Sequence, residues 1–187
     1  MLEFNNFVGE YVGSVKEADF TFIPRIGPGR QQSAAYPSVV LESGWHESSS
    51  RLLADSRLWQ AGSAGAVRVV LQVKFYEPDS QNKMRLVLFI SRFAPGGGPM
   101  QHDHYASFFA YPILTVPLLT CQLCVQPIFP ALPEPQNNPS ISLGEFFAGD
   151  CPPQMDPATA IPLDLSLLGE EAGFWMRKQG YSPADMA

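Results

Sequence analysis

Cysteine and positive charge are both scarce in this chain. Its 187 residues hold three cysteines, Cys121, Cys124 and Cys151. An odd, low count argues against the disulfide framework that small secreted domains use. The opening stretch, MLEFNNFVGEYVGSV, lacks the basic start and apolar run of a secretory signal. The expectation is therefore an intracellular protein of cytoplasm or nucleus. Twelve Lys and Arg face 18 Asp and Glu, for a net charge of −6. Proteins that hold nucleic acid through its phosphates carry the opposite excess, so broad non-specific DNA or RNA binding is disfavoured, although a local basic patch is not. Long uninterrupted apolar runs are missing too. The most apolar stretch, residues 111–129, is broken by Pro112, Pro117 and Pro127 and by Gln122 and Gln126. A membrane-spanning helix needs about 20 mainly apolar residues with continuous backbone pairing, so no membrane span is expected. There is no internal repeat. Gly96-Gly97-Gly98 has no strand-to-helix phosphate motif around it, and no serine-centred nucleophile elbow appears.

Proline, by contrast, is abundant: 18 residues, most of them from Pro95 onward. Proline removes a backbone donor and fixes φ, so regular structure is expected mainly before that point. Residues 7–15 alternate weakly and read as an opening strand. In ADFTFIP, residues 18–24, Phe20 and Phe22 share one face, which gives a short strand ended by proline. Residues 25–36 read as a loop. The β-branched run PSVVLES, 37–43, suits a strand buried on both faces. A serine of the following ESSS caps a helix over 50–61, with Leu52, Leu53, Ala54, Leu58 and Trp59 inward, Arg51, Asp55, Ser56 and Gln60 outward, and Gly62 as its stop. Residues 66–76 and 84–91 form two strands around a hairpin loop at 77–83. The unit at 37–76 is a parallel strand–helix–strand crossover of the usual right hand.

These elements predict a mixed α/β core over residues 1–91, in the order strand–strand–helix–strand–strand. An irregular Gly/Pro-rich and apolar segment follows at 92–140. A C-terminal extension occupies 141–187. In it, 141–147 is a short strand or one helical turn. Residues 163–178 form an amphipathic helix with Asp164 near its start and Arg177 and Lys178 near its end, as the helix dipole favours. Large exposed apolar patches mark contacts, so the apolar 105–129 segment is a candidate surface for a protein partner.

Two carboxylates stand out by position. Asp19 heads ADFTFIP and Glu42 closes PSVVLES. On neighbouring strands both would project from one edge of the sheet, and paired carboxylates make a hard-oxygen site suited to Mg2+ or Mn2+. Such an ion activates water against a phosphodiester. The alternative is structural: Asp19 bonding backbone donors at the head of its strand, and Glu42 paired with Arg25, Arg57 or Lys74. The weaker candidates have plainer explanations. His46 is a loop residue, and Glu47 with Ser48 starts the helix. The spacing of His102-Asp103-His104 lacks a third ligand. Cys121 and Cys124 lack a partner pair and read as buried, inert thiols.

The blocks GSVKEADFTFIP, YPSVVLESGWHES, LLADSRLWQAGS and VRVVLQVKF, taken in order over residues 13–76, resemble the PD-(D/E)XK restriction-endonuclease-like superfamily. More narrowly, they resemble its fungal branch of uncharacterised proteins with the pattern GSKEAD, YP-x-x-V-x-E-x-G-x-S-E-S, D-x-x-x-W and V-x-V-V-I. The resemblance implies a metal-dependent nuclease in which Asp19 stands for the motif aspartate and Glu42 for the motif glutamate. It also marks departures. The lysine expected two residues after the glutamate is replaced by Gly44, which leaves Lys74 or Arg57 to supply the cation. The superfamily's first helix is shortened or lost, with Glu3 and Glu10 as weak substitutes for its glutamate. The resemblance therefore also admits a non-catalytic interaction module that retains the nuclease fold.

Overall fold

A computed structural model describes residues 2–45, 47–93, 121–130 and 138–184. Its centre is a mixed five-stranded sheet. The strands are β1 (Phe20–Phe22), β2 (Val39–Gly44), β3 (Val69–Phe75), β4 (Leu86–Phe93) and β5 (Cys121–Phe129), in the spatial order β5-β4-β3-β2-β1. Helix α1 (Ser49–Gly62) joins β2 to β3, which run parallel, and every other neighbouring pair is antiparallel. The chain is thus mixed α/β, as its pattern predicted.

Alternation along the strands divides the sheet into two unlike faces. On one, Val39, Leu71, Val73, Leu86, Leu88, Ile90 and Ile128 form an apolar core with Leu165, Ala172 and Met176 of the C-terminal helix α3 (Leu165–Lys178). Asp164 caps that helix by accepting from the N–H groups of Ser166 and Leu167, both at 3.0 Å. Between β5 and α3, a capping box at Ser142 and Glu145 starts the one-turn helix α2 (Leu143–Phe146). The preceding Ser140–Ser142 pairs with Ala160–Pro162, so the 141–147 stretch is both of the things expected of it, strand end and helical turn.

The other face lies under α1 and is partly polar. Glu42, Gln72, Lys74 and Ser91 are all buried on it. The helix answers in kind. Its buried residues include Leu52, Ser56, Trp59 and Gln60, whereas Ala54 is exposed and Leu53 and Leu58 are half-buried. The expected helix face is therefore rotated, with Ser56 and Gln60 inward. The reason is hydrogen bonding. Ser56 Oγ donates to Gln72 Oε1 at 2.9 Å, Gln72 Nε2 donates to the Leu52 carbonyl at 2.6 Å, and Gln60 Nε2 donates to the Ser91 carbonyl at 3.0 Å.

Three further expectations are corrected. The opening segment holds a 3-10 turn at Gly9–Tyr11 instead of a strand over 7–15, and the strand-like pairing lies to either side, Glu3–Phe4 against Lys16–Glu17. Phe4 and Phe7 from this arm pack edge-on against the Trp59 ring, with centroids 5.4 and 5.7 Å away. Gly62 does not stop α1. It belongs to the last turn, where a Cβ would meet Phe7 at 2.9 Å. The stop is Gly65, at φ +79°, whose N–H meets the Gln60 carbonyl at 2.8 Å. Finally, Cys121–Phe129, inside the stretch read as irregular, is a nine-residue strand paired along β4. Among the described residues β5 is the outer strand of the sheet, and the register shift at Pro127 accommodates a residue without an N–H. The expectations for His46, Gly96–Gly98, His102–His104 and residues 105–120 lie outside the described residues.

Candidate functional site

The antiparallel register Phe20↔Leu41 brings the head of β1 to the C-terminal end of β2. Asp19 and Glu42 are therefore contributed by neighbouring strands at one end of the sheet. Their environments differ sharply. Asp19 is exposed, and its Oδ2 accepts from both the N–H and the Oγ of Ser43, at 2.7 and 2.6 Å. Its carboxylate is thus held one residue past Glu42. Glu42 is only 6% exposed and faces α1. Its Oε1 accepts from Trp59 Nε1 at 2.6 Å and lies 3.5 Å from Lys16 Nζ. The same ammonium sits 2.8 Å from Asp55 Oδ2.

Burial pushes the Glu42 carboxyl up from its ordinary value, and the Trp59 N–H and the Lys16 charge pull it only part of the way back. For Lys16, burial acts to lower the pKa, but the bonds and charges of Asp55 and Glu42 outweigh it, and the ammonium is held above its usual range. Lys16 is a partner that sequence reasoning missed. Its signal was present in the GSVKEAD block, three residues before Asp19, but only the fold of the N-terminal arm carries it over α1.

The two cations expected at the site lie apart from each other. Arg57 is near Tyr11, where its charge opposes the rise that burial imposes on the phenol. Lys74 is paired in register with Gly44 on the face that carries Glu42. It is 7% exposed, and its pKa is lowered by burial and then by Arg85. Its Nζ lies 4.4 Å from the Tyr76 ring centroid, and the Arg85 guanidinium lies 4.8 Å from the same centroid. The space above Gly44 accounts for the missing side chain there. A Cβ would meet Leu52 Cδ2 at 3.2 Å and Glu47 Cβ at 3.5 Å. A side chain at 44 would need the Leu52 methyl to give by a few tenths of an ångström.

In donor chemistry the acidic pair fits a hard divalent cation. The bonds above use one oxygen of each carboxylate, Glu42 Oε1 and Asp19 Oδ2, so each has a second to offer. Among the described residues, no group of three or more His, Cys, Asp or Glu is gathered for an ion. A cation here would keep several waters, as Mg2+ commonly does. Cys124 and Cys151 are free, half-buried thiols remote from this chemistry by sequence and strand position. No helix among the described residues is long and apolar enough to cross a membrane.

Fold and site together define a mixed α/β protein with an acidic pair at one end of its sheet. No family model, curated protein or solved structure matches the chain.

Proposed function

We propose that the chain is a metal-dependent nuclease-like protein of the PD-(D/E)XK type, in which Asp19 and Glu42 hold Mg2+ or Mn2+ and Lys74 supplies the cation. The observation that carries this reading is the register of β2 and β3. Gly44, where the motif lysine is missing, is matched by Lys74 on the adjacent parallel strand and on the same face. The cation is thereby restored to the row that the motif requires, two residues along from Glu42. The order β1, β2, α1, β3 around that row is in keeping with the restriction-endonuclease-like core that this reading supposes. When bound, the ion would lower the pKa of a water and polarise a phosphoryl oxygen. Asp19, released from Ser43, and Glu42 would fix its position. Lys74, held partly desolvated, would carry positive charge toward a developing anionic oxygen. With a net charge of −6, nucleic acid would be gripped locally, through Lys74 and Arg85, and not over a broad surface.

A second reading, a non-catalytic interaction module that retains this fold, is favoured by one observation. Glu42 Oε1 is already occupied by Trp59 and Lys16, as a structural carboxylate would be. Calorimetry with Mn2+ separates the two. The nuclease reading expects binding by the wild type that both Asp19→Ala and Glu42→Gln abolish. It also expects Mn2+-dependent cleavage of single- or double-stranded DNA that Lys74→Ala suppresses. A folded wild-type protein that binds no Mn2+ returns the non-catalytic reading.

A further inference from the structure

We propose that Lys16 is the resident counter-cation of the acidic site, so that a divalent metal reaches Glu42 only in competition with its ammonium. The inference rests on the reading of Glu42 as a metal ligand and concerns what controls access to it. Lys16 Nζ bridges Asp55 Oδ2 at 2.8 Å and Glu42 Oε1 at 3.5 Å, between side chains only 18% and 8% exposed. It thus occupies a place between two poorly hydrated carboxylates where positive charge is most strongly favoured. The ammonium is not a fixture of the sheet. It comes from the short ribbon formed by Glu3–Phe4 and Lys16–Glu17, whose Phe4 is buried against Trp59. Asp55 and Trp59, by contrast, are one turn apart on α1, and Glu42 is on β2. The acceptors are held on α1 and β2, while the cation ends a flexible side chain on the N-terminal arm, which Phe4 and Phe7 anchor against Trp59. Swinging the ammonium away on its own flexible stem leaves the Glu42 and Asp55 carboxylates facing one vacated position.

The test is Mn2+ calorimetry, with thermal unfolding alongside, on the full chain and its Lys16→Met, Lys16→Arg and Lys16→Met/Asp55→Asn variants. Lys16→Met should bind Mn2+ roughly tenfold or more tightly than wild type, as removal of a neighbouring like charge requires. Its unfolding temperature should fall without metal and recover with it. Lys16→Arg keeps the charge and should bind no better than wild type. If Lys16→Met fails to fold, the double variant removes one carboxylate together with the ammonium. It should still bind more tightly than wild type. Equal Mn2+ affinity in wild type and the Met variants overturns the competition while leaving Glu42 a ligand. Binding by none of the folded proteins overturns the metal reading itself, and this inference with it.

Discussion

Glu42 is a carboxylate placed where burial discourages charge. Its folded pKa is raised above the ordinary 4.5, chiefly by burial. A group of this kind contributes stability that is fully present below its unfolded pKa and is lost as pH rises through the folded value. Relative to the non-titrating Glu42→Gln, the wild type should therefore lose stability from about pH 4.5 upward. Paired thermal melts between pH 4 and 8 would show it, and a constant difference across that range would contradict it. Trp59 is the fixed donor in the arrangement. Trp59→Phe keeps most of the ring that Phe4 and Phe7 pack against but removes the N–H. It should cost about 1–3 kcal/mol in urea unfolding, because a buried acceptor loses a partner. In the Glu42→Gln background the same change should cost less. Asp19 and Glu42 were legible as residues that stand out in their strands. Lys16 lies in a block that the sequence does single out, but only the fold of the N-terminal arm shows which carboxylates it meets.

Helix α1 shows where pattern reading reaches its limit. Its length and serine cap follow from local chemistry, and Ser48 Oγ does accept from the Arg51 N–H, at 3.3 Å. Its orientation does not follow. Binary patterning assumes that a helix hides its apolar side, but the surface under α1 offers Glu42, Gln72 and Ser91. A helix over such a floor has to bury Ser56 and Gln60. Gln72→Leu should accordingly destabilise the protein by about 1–3 kcal/mol despite its greater hydrophobicity, since it orphans the buried Ser56 hydroxyl. Gly65 is the other point of control. At φ +79° an L side chain is strained, and a Cβ there would also run into the Phe93 ring. Gly65→Ala should destabilise the protein by about 1 kcal/mol or more in urea unfolding, whereas the same change in an ordinary helix stabilises by roughly that amount. The strands from 37 to 93 were readable because each has a clear period of two or a β-branched run. The β5 strand was hidden by Pro127, which is accommodated at a register shift that an isolated sequence window does not reveal.

Across the whole molecule the sheet couples distant parts of the chain. Phe22 of β1 stacks on Phe146 of α2 with centroids 3.8 Å apart, and Ile128 of β5 shares a core with Met176 of α3. Ser182–Pro183 lies parallel to Lys83–Met84, with the Ala184 N–H donating to the Met84 carbonyl at 2.8 Å. Ala184→Pro removes that donor. Its expected effect is a loss of about 1 kcal/mol or more and faster proteolysis in the loop between β3 and β4, measured against wild type under native conditions. This pairing also bears on how the protein is made. A ribosome delivers the β3–β4 hairpin long before residues 182–184 emerge, so for much of synthesis the Lys83–Met84 edge has no strand beside it. Unpaired strand edges are templates for association. The nascent chain is therefore most exposed to wrong pairing while its first half is already folded, and slower elongation through the C-terminal helix would lengthen that interval.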